Sequence, residues 1–287
     1  MMLCLSWLNI LSHQQIEHNM AEIGSFSTLT VIKKVDFGVY LDGGDLDQIL
    51  LPARYMPEQC AVGDKVDVFI YLDSEDMVIA TTEKPKAIVG ECAYLNVVEV
   101  NRIGAFLDWG LPKDLLVPYS EQLKPMEAGT SYVVYLYIDD ASERIAGTTR
   151  IDSFLPDSSP YYKEQQQVDL LIYGRTDLGY KAIVNDAVTG LIFQSDALTP
   201  LREGQKLKGY IKRVRADKKL DLCLQLPNRE ALDSLSKQIM AFINQQGGEI
   251  TLTDKSSPEA IAKQFQVSKS SYKKALGKLY KKKMIII

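Results

Sequence analysis

Two sets of side chains in this 287-residue sequence have the types and spacing to do chemistry. The first is acidic. "DGGDLD" (Asp42 to Asp47) places three carboxylates in six residues, and "DSED" (Asp73–Asp76) and Asp139-Asp140 repeat the theme. Clustered carboxylates are what a hard divalent cation needs. The second set is aromatic and basic. Phe37 and Tyr40 bracket Gly38, Phe106 follows Gly104 by two residues, and Lys181 follows Gly179 by two. Outward rings stack on planar groups, and cations beside them neutralise anions.

The acidic set reads as turn chemistry. Each cluster lies in its own hairpin turn, where Asp and Gly are the expected residues. Metal-assisted hydrolysis needs carboxylates that converge on one point. Histidine is absent from residues 21–287, since His13 and His18 are the only two in the chain. No G-x-x-x-x-G-K phosphate loop and no G-x-S-x-G elbow occurs. Cys4, Cys60, Cys92 and Cys223 form no C-x-x-C pair, which argues against zinc and against a disulfide framework and suits a reducing cytosol. No catalytic residue, metal or cofactor is expected, and an enzyme is the weaker reading.

The aromatic and basic set belongs to a repeat. "KKVDFGVYLDGGDLDQILLP", "NRIGAFLDWGLPKDLLVP" and "GRTDLGYKAIVNDAVTGLIF" share a glycine inside an apolar, alternating run. A second glycine opens another strand 25 residues later each time, at Gly63, Gly129 and Gly204. Each copy predicts five short strands, in the first copy Leu29–Val35, Gly38–Asp42, Asp47–Pro52, Lys65–Leu72 and Asp76–Thr82. The first glycine is expected at a bulge or sharp bend. Five curled strands in about 60 residues fit a Greek-key barrel of the OB type. Alternation sends Val39, Leu41, Ala105 and Leu107 inward and Tyr40 and Phe106 outward. Those two rings meet either single-stranded RNA or the next domain, and Trp109, in a loop, favours a domain contact.

After Leu226-Pro227 the apolar period changes from two to near 3.6. Leu232, Leu235, Ile239, Phe242 and Ile243 share a helical face that Gly247 ends. Ser257 and Ser268 are N-caps of two more helices, with Pro258 at the first position of the earlier one. "EITLTDKSS" and "MIII" are expected as short strands. Helix, strand, helix, turn, basic helix, strand is the order of a winged helix-turn-helix. In its third helix Tyr272, Leu276, Leu279 and Tyr280 are expected to pack inward, leaving Ser270, Lys273, Lys274, Lys278 and Lys281 outward. A winged helix that contacts only protein remains the alternative.

The predicted fold is therefore mainly β with a small α/β C-terminal domain. It divides into an extension (1–20), three tandem five-stranded barrels (21–86, 87–155 and 156–227) and a winged helix (228–287). The extension "MMLCLSWLNILSHQQIEHN" is too short in its apolar part to span a membrane and lacks a signal-peptide pattern. It reads as a poorly ordered segment ahead of a true start at Met20, or as a peripheral anchor.

The repeat resembles the S1 RNA-binding domain, an OB fold. In that family the residue before the glycine, the aromatic two after it and a third-strand residue form the RNA face. That resemblance implies Phe37, Tyr40 and the Leu51–Arg54 region in copy one, Ile103, Phe106 and Val117–Tyr119 in copy two, and Leu178, Lys181 and Phe193 in copy three. The third-strand histidine common in the family is absent from all three. Three such barrels and a winged helix, from about Met20 to Ile287, resemble the bacterial conserved virulence factor B family. The resemblance implies RNA binding and post-transcriptional control without a catalytic step.

Charge locates the RNA. The net charge of −4 divides unevenly. Residues 1–86 carry 6 basic against 13 acidic side chains and residues 87–155 carry 5 against 10. Residues 156–227 carry 11 against 9, and residues 228–287 carry 11 against 5. Phosphate contacts supply most non-specific affinity, so barrel three and the winged helix are the expected RNA site. "KLKGYIKRVRADKK" concentrates Lys206, Lys208, Lys212, Arg213, Arg215, Lys218 and Lys219, and Arg175 lies in the same repeat. Alternation would put Lys206, Lys208 and Lys212 on one face and Arg213 and Arg215 on the other unless a bulge intervenes. Lys269, Lys273, Lys274 and Lys278 complete the expected set on the third helix, with Arg54 the basic candidate in barrel one. Single-stranded RNA is the expected partner. Duplex DNA at the winged helix, and proteins of transcription, translation or RNA decay on the acidic barrels, are the alternatives.

Overall fold

The computed structural model describes residues 21–197, 199–226, 229–249 and 251–286, with the side chains of 229–231 set aside. The expected extension, 1–20, lies outside the described residues. The first five strands are β1 (Phe26–Val35), β2 (Gly38–Asp42), β3 (Gln48–Pro52), β4 (Lys65–Leu72) and β5 (Val78–Thr81). The next five are β6 (Cys92–Val100), β7 (Gly104–Asp108), β8 (Leu115–Pro118), β9 (Ser131–Ile138) and β10 (Ile145–Thr148). The last five are β11 (Gln167–Arg175), β12 (Gly179–Val184), β13 (Val188–Phe193), β14 (Lys206–Val214) and β15 (Leu220–Cys223). Each set closes into a barrel in which the third strand pairs with the fifth in parallel, and in barrels one and three every other pairing is antiparallel. Closure leaves no free sheet edge.

The recurring glycines have a common physical cause. A Cβ on Gly38 would lie 2.3 Å from the Leu51 carbonyl oxygen, and one on Gly179 would lie 2.1 Å from that of Ile192. No side chain fits where the second strand presses on the third. The bulge expected at this glycine falls instead on the strand before it, between Val31 and Lys33, Val97 and Glu99, and Ile172 and Gly174. The second glycine of each repeat closes that bulge. The amides of Gly63, Gly129 and Gly204 each donate at 2.8 Å to the carbonyls of Val31, Val97 and Ile172. The constant spacing therefore links a bend to the clip that holds it.

Alternation settles the cores. Val39, Leu41, Ala105 and Leu107 are fully buried, while Tyr40 and Phe106 are half-buried. The acidic turns are built as expected of turns: Asp73 accepts from the amides of Glu75 and Met77, and Asp139 from Ser142.

Two compact units result. Of the described residues, one holds those from 21 to 88 with Gly110–Lys113 and Ile138–Ile145; the other holds Val89–Trp109, Asp114–Tyr137 and those from 146 to 286. Within the second unit a short helix, α1 (Ile151–Phe154), leads from barrel two into barrel three. Ile151 and Leu155 pack into a core with Cys92 and Val133 of barrel two and Leu171 and Ile183 of barrel three. Burial pushes the Cys92 thiol up to about 12, with Asp186 and Glu91 adding to the shift.

The C-terminal helices are α2 (Arg229–Gln245), α3 (Pro258–Phe265) and α4 (Lys269–Lys281). Ser257 and Ser268 cap α3 and α4 by accepting from the amides of Ala260 and Ser271. Tyr272, Leu276 and Leu279 are buried as expected, but Tyr280 is exposed and Ala275 takes the inward place. Among the described residues neither "EITLTDKSS" nor "MIII" forms a strand. Their amides are captured locally: Thr253 N donates to Ser256 Oγ, and Met284 N to the Leu279 carbonyl. Among the described residues no helix is long and apolar enough to cross a membrane.

Candidate nucleic-acid interface

The glycine bend presents the preceding residue outward, so Phe37, Ile103 and Leu178 are all exposed. In barrel one Phe37 meets Tyr40 edge-on, ring centres 6.5 Å apart, and Lys33 Nζ lies 5.9 Å from the Tyr40 ring. Arg54 lies over Tyr55, 4.6 Å from its centre. In barrel two Phe106 is half-buried and the Tyr119 hydroxyl donates to the Asn101 carbonyl. Trp109 is buried and offers no ring to solvent.

Barrel three gathers more. A bulge between Ile211 and Arg213 breaks the alternation of β14. Lys212 Nζ and the Arg215 guanidinium consequently converge, each 5.8 Å from the centre of the half-buried Phe193 ring. The sequence places these two cations on opposite faces; the bulge moves both to one ring. Lys212 pairs with buried Asp196 at 2.6 Å, and Arg215 with Asp221 at 2.6 Å. The hydrogen bond to Asp221 raises the Arg215 pKa further. Arg213 is exposed and makes no ion pair among the described residues.

Other expected residues lie apart from this ring. Lys208 pairs across the strands with Asp169 at 2.5 Å, and both stay exposed. Arg175 lies over the buried Tyr180, 5.7 Å from its centre. Lys181 lies 5.0 Å from the Tyr173 ring and pairs with Asp152 of α1. Lys181, Tyr173 and Arg215 line a cavity of about 590 Å³ between barrel three and the segment 151–157.

The third helix of the C-terminal domain is turned toward barrel three. Ser268, Ser270, Ser271 and Lys274 face Asp196, Lys212, Cys223 and Gln225 across a small cleft. Lys212 and Lys274 thus flank one buried carboxylate. Lys273 is exposed as expected, 3.9 Å from Asp254, whereas Lys278 is half-buried and pairs with Asp233 of α2. Lys269 is half-buried at the start of α4.

Sequence reasoning misses Asp152, Asp157, Tyr173 and Asp196. One signal for the first two exists: the repeat glycines are 66 residues apart from Gly38 to Gly104 and 75 apart from Gly104 to Gly179. The nine additional residues fall in the segment that crosses barrel three.

Models of the S1 domain match residues 23–83 and 89–150, and a model of the CvfB-like winged helix domain matches residues 237–287. The chain is 29% identical to the uncharacterized protein YitL of Bacillus subtilis over 267 residues, covering 90% of this chain and 89% of that one. It is 27% identical to a conserved virulence factor B of Staphylococcus epidermidis over 274 residues, covering 92% of each. A solved multidomain protein with nucleic acid binding domains from Streptococcus pneumoniae is 27% identical, with 90% of this chain and 93% of that one covered and a TM-score of 0.41. The S1 and winged-helix domains are of nucleic-acid-binding kinds.

Proposed function

We propose that this chain, which carries S1 domains and a CvfB-like winged helix domain and is similar to conserved virulence factor B proteins, is a non-catalytic RNA-binding protein of the cytoplasm. It regulates gene expression after transcription by holding single-stranded RNA on barrel three and the winged helix. The observation that carries this reading is the half-buried Phe193 ring with Lys212 and Arg215 over it, in a strand whose Arg213 is exposed. A ring flanked by cations suits a strand whose bases are unstacked and whose phosphates follow a basic track.

Duplex DNA suits the same surface less well. A recognition helix reads the major groove with its N-terminal residues. Here Ser268, Ser270 and Ser271 face barrel three.

The test is titration of an unstructured oligoribonucleotide across a KCl series. Phe193→Ala removes a stacking platform worth about 1–3 kcal/mol per base, so affinity falls roughly 5- to 150-fold with the salt slope unchanged. Arg213→Glu removes one phosphate contact, so the slope of log K against log salt flattens by about 0.7. Wild-type binding by both variants, or a preference for duplex DNA in competition, refutes the reading.

A further inference from the structure

The segment from Ile151 to Ser159 lies across barrel three as a strap. Ile151 and Leu155 anchor it in the core shared with barrel two. The Pro156 carbonyl accepts from the Thr189 amide at 2.8 Å, and the Ser159 amide donates to the Lys218 carbonyl at 3.1 Å. Between these anchors the strap aims two carboxylates at two lysines. Asp152 takes Lys181 and also accepts from the Tyr173 hydroxyl at 2.6 Å. Asp157 takes Lys219 at 2.6 Å. Burial opposes ionisation of Asp152, but the hydrogen bonds from Lys181 and Tyr173 overcome it and lower its pKa. The bond to Asp157 raises the pKa of Lys219.

Strap and barrel line an open cleft of about 590 Å³, a size suited to a small organic group. Its walls carry a ring (Tyr173), three cations (Lys181, Arg215 and Lys219) and the Thr189 side chain. That set matches a nucleotide: a base for the ring and phosphates for the cations. The carboxylates already on Lys181 and Lys219 are themselves anions with the geometry of phosphate oxygens. Both are side-chain contacts at a partly open surface, with Asp152 and Asp157 more than half exposed, so they exchange without releasing the strap's backbone anchors.

We propose that this cavity is a nucleotide subsite for single-stranded RNA, in which Asp152 and Asp157 hold Lys181 and Lys219 in the free protein and RNA phosphates displace them. The proposal rests on the RNA-binding reading above. It adds to that reading an internal competitor that lowers resting affinity, so that only a strand able to fill the cleft overcomes the pairing.

The experiment uses the full chain. Asp152→Asn with Asp157→Asn should bind the oligoribonucleotide on the order of fivefold more tightly at low salt, with the salt slope unchanged because the same two phosphate contacts form once the carboxylates are gone or displaced. Asp186→Asn, an equal charge change at an exposed turn outside the cavity, should leave both values near wild type. Adding Lys181→Gln and Lys219→Gln should erase the gain. In wild-type protein, ultraviolet crosslinking should place a nucleotide adduct on Tyr173, a readout that holds even if the double variant folds poorly. A folded double variant with unchanged affinity, or the absence of any adduct on Tyr173, overturns the subsite. If Phe193→Ala and Arg213→Glu still weaken binding in that case, the RNA-binding reading stands without it.

Discussion

Asp152 ties the strap to Lys181 and Tyr173 by its side chain, and its ionisation sets a pH window for that contact. Hydrogen bonds from Lys181 and Tyr173 hold its pKa below that of an ordinary aspartate, against the opposing effect of burial. A depressed carboxylate pKa contributes stability above the unfolded value, near 4, and loses it as pH falls through the folded value. The contact of Asp152 with Lys181 and Tyr173 should therefore be unchanged from pH 7 to pH 5 and weaken below about pH 4. Side-chain resonances of Tyr173 followed through an acid titration check this; a transition near pH 6 would contradict it. Tyr173 itself stays protonated, since burial and the Asp152 bond both raise its pKa.

At the scale of elements, two glycines with opposite roles make a direct comparison. Gly179 opens β12 against the backbone of β13, so the methyl of Gly179→Ala would meet the Ile192 carbonyl oxygen at 2.1 Å and the Gln194 amide and Phe193 Cα at 2.8 Å. Backbone cannot yield as a side-chain tip does, and overpacking of this kind costs about 1–3 kcal/mol. Gly277 lies within α4 with open space around its Cα. Gly277→Ala should stabilise by about 1 kcal/mol through helix propensity alone. Thermal melting of the two variants should move in opposite directions. Bulges act at the same scale, since the one in β14 decides which cations share the Phe193 ring.

Across the whole molecule, charge and connectivity pull on the same question. Residues 21–155 are acidic and residues 156–287 are basic, so crosslinks to an unstructured oligoribonucleotide should concentrate in 156–287. Predominant crosslinking to residues 21–155, where Phe37 and Tyr40 offer rings without much positive charge, would show that stacking outweighs phosphate attraction. Mapping needs the intact chain. A fragment beginning at residue 156 loses Ile151 and Leu155 and exposes Leu171 and Ile183, which pack on them. Formal charge also overstates the cations on offer, because Lys181, Lys208, Lys212, Arg215 and Lys219 of barrel three each face an aspartate.

The amino-acid sequence by itself determined the three barrels, because the first glycine of each 25-residue spacing lies where the next strand's backbone leaves no room for a side chain. It determined the inward and outward faces of β2 and β7 and the caps of α3 and α4, all of which depend on neighbours a few residues away. Tertiary structure alone decided how the cations are used. Lys181 and Asp152 are 29 residues apart, and Lys212 and Asp196 are 16 apart, across strands and a linker whose path no local pattern encodes. It also turned α4 toward barrel three and left Tyr280 exposed, since which side of a basic helix is covered depends on the surface it meets. Short-range periodicity specifies elements; ion pairs and docking faces follow from the long-range path of the chain.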